Sequence, residues 1–138
     1  MQTIDSYNLA NATGTIPADH QIIDVTVHFR CYDSFGAADE AQPFLILGSV
    51  NTTGTEVTLA NAWTNYNEIL DKPGGGVWTH NDIDNLQVGI GLRENGGDGD
   101  VWCTQVYIEV GHSAPVVSVS ATGVSSGEYI IRVSLEGG

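Results

Sequence analysis

The sequence predicts a small all-β protein, an antiparallel β-sandwich of the jelly-roll kind. Residues 22–32 alternate apolar and polar side chains with the two-residue period of a half-buried strand. Similar stretches recur at short intervals and are separated by Gly- and Asn-rich turns such as residues 51–54. The length of 138 residues suits one domain, and an apolar content of 41% is enough to fill its core.

The alternating stretches locate the strands in chain order. Strands are predicted at residues 22–32, 43–48, 56–59, 86–92 and 101–110. In residues 86–92 every second residue is a branched aliphatic that should face the core, and two glycines occupy the other face. Only residues 60–70 and 81–86 could form a short helix, the second capped by Thr79 or Asn81.

The C-terminal part differs in composition and predicts a β appendage. We divide the chain into a core domain, 1–112, and an appendage, 113–138, with a hinge marked by Gly111 and Pro115. The appendage holds two further alternating stretches, and four of its apolar residues share one face. These candidate assembly residues are Tyr129, Ile131, Val133 and Leu135. The appendage either folds back on its own sandwich or pairs with a neighbouring subunit as an assembly arm, producing a homo-oligomer.

The charge balance argues against several classes of partner. The chain has seventeen acidic and four basic residues, which gives a formal net charge of -13. Such a surface repels phosphate, so neither nucleic acid nor an anionic membrane is an expected partner. The acidity favours solubility, cation binding or attachment to a basic partner. No apolar stretch approaches the roughly 20 residues of a membrane-spanning helix, and the N-terminus does not resemble a signal peptide.

The two cysteines are predicted to be free thiols. Strict alternation places Cys31 on the apolar face of its strand, whereas Trp102 takes the apolar position of the later strand and turns Cys103 outward. The two sulfurs would then lie on opposite sides of a sheet, with Cys31 the more buried.

Catalytic and metal-binding signatures are weak, so we expect no enzyme and no cofactor. The sequence has no nucleophile elbow, phosphate loop or zinc motif. Glu94, Asp98 and Asp100 are candidate calcium ligands in a turn, but the spacing fits no standard calcium loop, and the alternative is a solvated hairpin tip. Residues 39–40 are expected to form a solvated loop.

Three aromatic residues near turns are candidates for binding or for plugging the ends of the sandwich. Exposed rings on a β-sandwich commonly stack on sugars, which makes Trp63 and Tyr66 candidate glycan-binding residues. For Trp78 burial at the sandwich end is the favoured interpretation.

One segment resembles a known group of proteins. It begins with the predicted strand IIDVTVHFRCY, which is followed by the apolar strand FLILG. It continues through PGGGVWT and NDIDNLQVGI and ends in TQVYIEV. The order of these segments is similar to that in small β-sandwich structural proteins and domains of tailed phages and prophages. Those proteins carry P-x-x-G-x-x-W-T-x-x-D-I-N-x-L-x-x-G followed by T-Q-V-Y-V-E-V. The resemblance covers residues 16–110, with Asp84-Asn85 as a small departure.

The resemblance implies a location in the virion more than a mechanism, and it supplies no catalytic residue. We therefore expect a non-enzymatic virion structural protein, such as a capsid decoration, tail or fibre component. Its partners would be copies of itself or a major capsid or tail protein. The alternative is a carbohydrate-binding adhesin domain that uses Trp63, Tyr66 and the loop 95–100. A glycan-cleaving enzyme is a third, weaker hypothesis.

Overall fold

The fold is described from a computed structural model, which covers residues 2–8 (backbone only), 15–96 and 99–116. Within these residues it contains eight strands and one short helix. They are β1 (Gln2–Asn8), β2 (Gln21–Asp33), β3 (Glu40–Leu47), β4 (Val50–Thr53), β5 (Val57–Thr58), β6 (Thr64–Ile69), α1 (His80–Asn85), β7 (Leu86–Arg93) and β8 (Val101–Ser113). The described helix is six residues long, and none in this part of the chain could span a membrane.

The strands form two antiparallel sheets that pack face to face, which confirms the predicted all-β sandwich. One sheet has the order β1-β7-β3-β4, with β5 also paired to β3, and the other has the order β6-β2-β8. The chain passes repeatedly from one sheet to the other, as in jelly rolls. Because each strand alternates its side chains, each sheet contributes one apolar face to the shared core.

The pairing register of the larger sheet determines which of its side chains enter the core. β3 and β7 pair so that Leu45 lies opposite Val88 and Ala41 opposite Leu92, and all of these positions face inward. The predicted alternation of β7 is therefore confirmed. Trp78 is buried in the same core, as predicted, and is followed directly by the cap of α1.

The helix α1 begins where the capping residues predict. The Thr79 side chain accepts the Asp82 N–H, and the Asp82 carboxylate accepts the Thr79 N–H in return, which completes a capping box. Lys72 lies 2.8 Å from Asp82 and fixes the preceding loop to the helix. Burial would raise the pKa of Asp82, but the hydrogen bonds from Lys72 and Thr79 outweigh it and lower that pKa.

A helix within residues 60–70 was the wrong expectation, because this segment contains strand β6. Its side chains alternate between the two faces of the sheet, with Tyr66 turned inward against Phe29 and Asn65 and Asn67 turned outward. The short polar sequence TNYNEI has no strong propensity of its own, so pairing with β2 decides its conformation.

The two cysteines are free thiols, as predicted, but they do not lie on opposite sides of the sheet. Neither Cys31 nor Cys103 forms a disulfide, and Cys31 is the more buried. However, Arg30 pairs with Gln105 whereas Cys31 pairs with Cys103, so Thr104 is an extra residue in β8. This β-bulge shifts the alternation by one residue, which turns Cys103 toward the core.

The same bulge overturns the expected position of Trp102. The ring was predicted on the apolar face, in phase with Val106 and Ile108, but Trp102 is 53% exposed on the opposite face. Val101 and Cys103 take the inward positions at this end of the strand.

The end of β2 carries a carboxylate that orders the following loop. Asp33 is fully buried, and its Oδ1 accepts the N–H groups of Phe35 at 2.9 Å and Gly36 at 2.8 Å. Burial would raise the pKa of Asp33, but these backbone donors and that of Asp39 lower it.

Residues 39–40 are not a solvated loop, contrary to expectation. Asp39 is 1% exposed, and its Oδ1 accepts the Asn95 N–H at 2.8 Å, which joins two loops at one end of the sandwich. Glu40 begins β3 and forms an ion pair with Arg93. Sequence alternation could not reveal these contacts, because they join segments more than 50 residues apart.

The N-terminal strand and the position of Gly111 also differ from expectation. β1, which was not predicted, pairs with β7 along its whole length. The hinge predicted at Gly111 lies inside β8, where Gly111 pairs with Asp24 and leaves room for that side chain. The candidate assembly residues Tyr129, Ile131, Val133 and Leu135 lie outside the described residues.

Candidate functional site

The outer face of the three-stranded sheet is the candidate functional site. By the outer face we mean the surface of β6, β2 and β8 that points away from the core. Three adjacent rows of its side chains form the candidate site, and the strand register places the members of each row side by side. The rows are Trp63, Tyr32 and Trp102; Asn65, Arg30 and Gln105; and Asn67, His28 and Tyr107.

The first row is an aromatic platform of three residues. The rings of Tyr32 and Trp63 lie 5.4 Å apart at an interplanar angle of 35°, and Trp102 is the direct cross-strand neighbour of Tyr32. Trp63 is 41% exposed and Trp102 is 53% exposed. Large aromatic side chains with this much exposure on one face indicate an interaction surface.

The second row places planar polar groups beside the platform. The Arg30 Nη1 donates to the Asn65 Oδ1 at 3.0 Å, and the guanidinium carbon lies 6.0 Å from the centre of the Trp63 ring. Gln105 is the partner of Arg30 on the other side. These amide and guanidinium groups together present both donors and acceptors of hydrogen bonds.

The third row completes the site with a stacked pair of rings. His28 and Tyr107 lie parallel, with ring centres 4.8 Å apart, and His28 is 3.4 Å from the carboxylate of Glu109. A shallow depression of about 130 Å³ lies between this pair and Arg30. His28 therefore lies on the polar face of its strand, as predicted.

The three rows are almost neutral although the chain is strongly acidic. Of the nine residues in the three rows, only Arg30 carries a formal charge at neutral pH, whereas the whole chain has a formal charge of -13. Glu109, the cross-strand partner of Thr26, lies in the next row of the same face and contacts His28. A neutral ligand meets no general repulsion here.

The structure separates the two predicted glycan-binding residues. Trp63 lies on the outer face, but Tyr66 points to the inside, stacks on Phe29 at 5.4 Å and accepts the Ala60 N–H through its hydroxyl at 3.0 Å. Tyr66 thus supports the sheet beneath the site and does not offer its ring to a ligand on the outer face.

The predicted calcium ligands are not brought together in the described part of the chain. Asp98 lies outside it, Glu94 follows β7, and the Asp100 N–H donates to Ser34 Oγ at 2.8 Å. No group of three potential metal ligands occurs among the described residues.

Sequence reasoning missed Trp102, Tyr107 and Arg30 as members of the site. The polar phase of β2 already indicated that Arg30 and Tyr32 share a face. The bulge at Thr104 is what brings Trp102 onto that face, and no local signal in the sequence marks it.

Comparisons of the chain with protein-family models, with curated proteins and with solved structures give no match. The geometry of the outer face therefore carries the functional argument.

Proposed function

We propose that the chain is a non-enzymatic virion protein, a capsid decoration, tail or fibre component, that binds carbohydrate through its outer face. The virion location is supported by the resemblance over residues 16–110 together with the β-sandwich fold. The carbohydrate is supported by the side chains of the outer face.

The observation that carries the proposed activity is the row of Trp63, Tyr32 and Trp102. Aromatic rings offer a flat apolar surface that matches the C–H face of a sugar ring. The adjacent Arg30 and Asn65 can hydrogen-bond to sugar hydroxyls, which both donate and accept. Stacking on one side and hydrogen bonds on the other are the two contacts that orient a sugar.

The acidity of the whole chain narrows the class of saccharide that the face is expected to bind. Acidic glycans would be repelled by a chain with a formal charge of -13, so the expected ligand is a neutral saccharide. The rows extend across three strands, and the depression between Arg30 and the His28–Tyr107 pair has a volume of about 130 Å³. We therefore expect it to bind a stretch of several sugar units rather than to enclose one.

A glycan array probed with the full chain tests the proposal. We expect selective binding to neutral saccharides, with the affinity then measured by calorimetry. Trp63→Ala and Trp102→Ala should each weaken binding by about tenfold or more, since interface aromatics commonly contribute above 1 kcal/mol. Val50→Ala, an exposed apolar residue in the other sheet, is the matched control and should bind as the parent does.

A second candidate is association with another protein, and the position of β8 favours it. β8 is 13 residues long and lies at the end of the order β6-β2-β8, so one of its edges has no partner strand among the described residues. Such an edge can accept a strand from a neighbouring subunit or from a shell protein. Trp and Arg are also typical of protein interfaces.

Light scattering after size exclusion distinguishes the two functions. A monomer that binds saccharides supports the carbohydrate proposal. A stable assembly with no saccharide binding supports structural association, and a monomer that binds no glycan contradicts both.

A further inference from the structure

The pairing of β2 with β8 puts two thiols directly opposite each other. Cys31 and Cys103 are cross-strand partners, and both turn toward the core. Directly opposed residues of an antiparallel pair have Cα atoms about 4.5–5.5 Å apart, and disulfides need about 4.4–6.8 Å. The Cys31 and Cys103 side chains already lie in hydrogen-bonding contact.

The two thiols differ in their access to solvent. Cys31 is fully buried, whereas Cys103 is partly exposed beside the bulge. An open cavity of about 310 Å³ is lined there by Cys103, Thr104, Gln105 and Val106. A small oxidant can therefore reach Cys103 and not Cys31.

The two thiols also differ in reactivity. The hydrogen bond with Cys103, burial, and the charge of a Cys103 thiolate all raise the pKa of the Cys31 thiol. Cys103 is the accessible thiol and is therefore the one that attacks, since the thiolate is the nucleophile.

We infer that Cys31 and Cys103 form a redox-sensitive pair that closes to a cross-strand disulfide when it meets a low-molecular-weight disulfide such as oxidised glutathione. The Cys103 thiolate attacks one sulfur of the oxidant, forms a mixed disulfide and releases a first thiolate. The Cys31 thiol then loses its proton and attacks the Cys103 sulfur, which releases a second. The two thiols lose two electrons and two protons, and the oxidant becomes two thiol molecules.

This chemistry gives the domain two covalent states. In a reducing cytoplasm both thiols stay free, and in an oxidising medium the bond links β2 to β8. The bond would fix the strand that carries Trp102 to the strand that carries Tyr32. The inference does not depend on the proposed function.

The test uses the full chain, reduced and then incubated with oxidised glutathione. After the remaining thiols are blocked with a maleimide, the mass of the intact protein and a peptide map are recorded. We expect a monomer with no free thiol and one peptide that joins Cys31 to Cys103. In urea, which removes the preorganised geometry, closure should be slower by about tenfold or more.

Single variants separate the roles of the two thiols. Cys31→Ser should accumulate the mixed disulfide on Cys103, and folded Cys103→Ser should stay unmodified. A stable glutathione adduct on Cys103 of the parent protein would overturn the inference. So would a disulfide between two chains, or closure as fast in urea as in the native state.

Discussion

The two faces of strand β2 have opposite chemistry. The inner face presents Val27, Phe29 and Cys31, all buried, whereas the outer face presents His28, Arg30 and Tyr32, all only partly buried. The backbone of the strand is the same for both. Burial of the inner residues stabilises the fold, and the outer residues are free to be selected for binding. Substitutions at neighbouring positions of β2 should therefore affect different properties.

The largest effect on stability is expected for Phe29→Ala. The ring is 3% exposed and stacks on Tyr66, so its removal leaves a cavity between β2 and β6. Phe-to-Ala substitutions in cores cost about 3–5 kcal/mol. Urea denaturation should show a loss of this size in the free energy of unfolding, and a loss below about 1 kcal/mol would mean that the inner face is not close-packed.

The inner face is also the part of the molecule that could be predicted from the sequence. The alternation of β2 and β7 predicted both strands, the buried residues of β2 from Val25 to Cys31 and those of β7, because burial on one face imposes a period of two. The Thr79 cap was predictable for a similar reason, since a capping box depends only on residues three apart. β1 was not predicted, and β6 was mistaken for a possible helix, because strand pairing rather than local propensity decides such segments.

An intermediate effect is expected for Asp33→Asn at the end of the same strand. The carboxylate accepts backbone N–H groups through both oxygens, whereas the amide nitrogen of Asn would face the Asp39 N–H, donor against donor. Leaving a buried donor without an acceptor costs about 1–3 kcal/mol. Equilibrium unfolding at neutral pH should show this loss, and an equal stability of the two proteins would contradict it.

The difference in stability between the parent and Asp33→Asn is also expected to depend on pH. The pKa of Asp33 is lowered in the folded state, so its contribution to stability is complete above the pKa of the unfolded carboxyl, about 3.9. This contribution to stability is lost as the pH falls through the lower pKa that Asp33 has in the folded state. The gap in stability between the parent and Asp33→Asn should be constant from neutral pH down to about 5 and then shrink. A gap that widens in acid would contradict the assignment.

The outer face could be predicted only in part. Trp63 was recognised because aromatic residues near turns are candidate ligand contacts, but Tyr66 was grouped with it although strand alternation places the two on opposite faces. The platform also depends on one extra residue, Thr104, which shifts Trp102 outward and Cys103 inward. A bulge changes the phase of every residue beyond it, and pairing with another strand determines where it occurs.

The smallest effect on stability is expected for Arg30→Ala, next to Phe29 on the opposite face. The residue makes one hydrogen bond to Asn65 and lies over Trp63, contacts that contribute about 1 kcal/mol or less at an exposed site. Its loss should nevertheless weaken saccharide binding by roughly tenfold, since hydrogen bonds from charged groups contribute about 1.5–3 kcal/mol.

Arg30→Lys is the informative control, because lysine keeps the charge and loses the planar fork of donors. Calorimetry should find binding by Arg30→Lys as weak as by Arg30→Ala if oriented donors hold the sugar. Full binding by Arg30→Lys would mean that charge alone acts at this position, which a neutral saccharide does not explain.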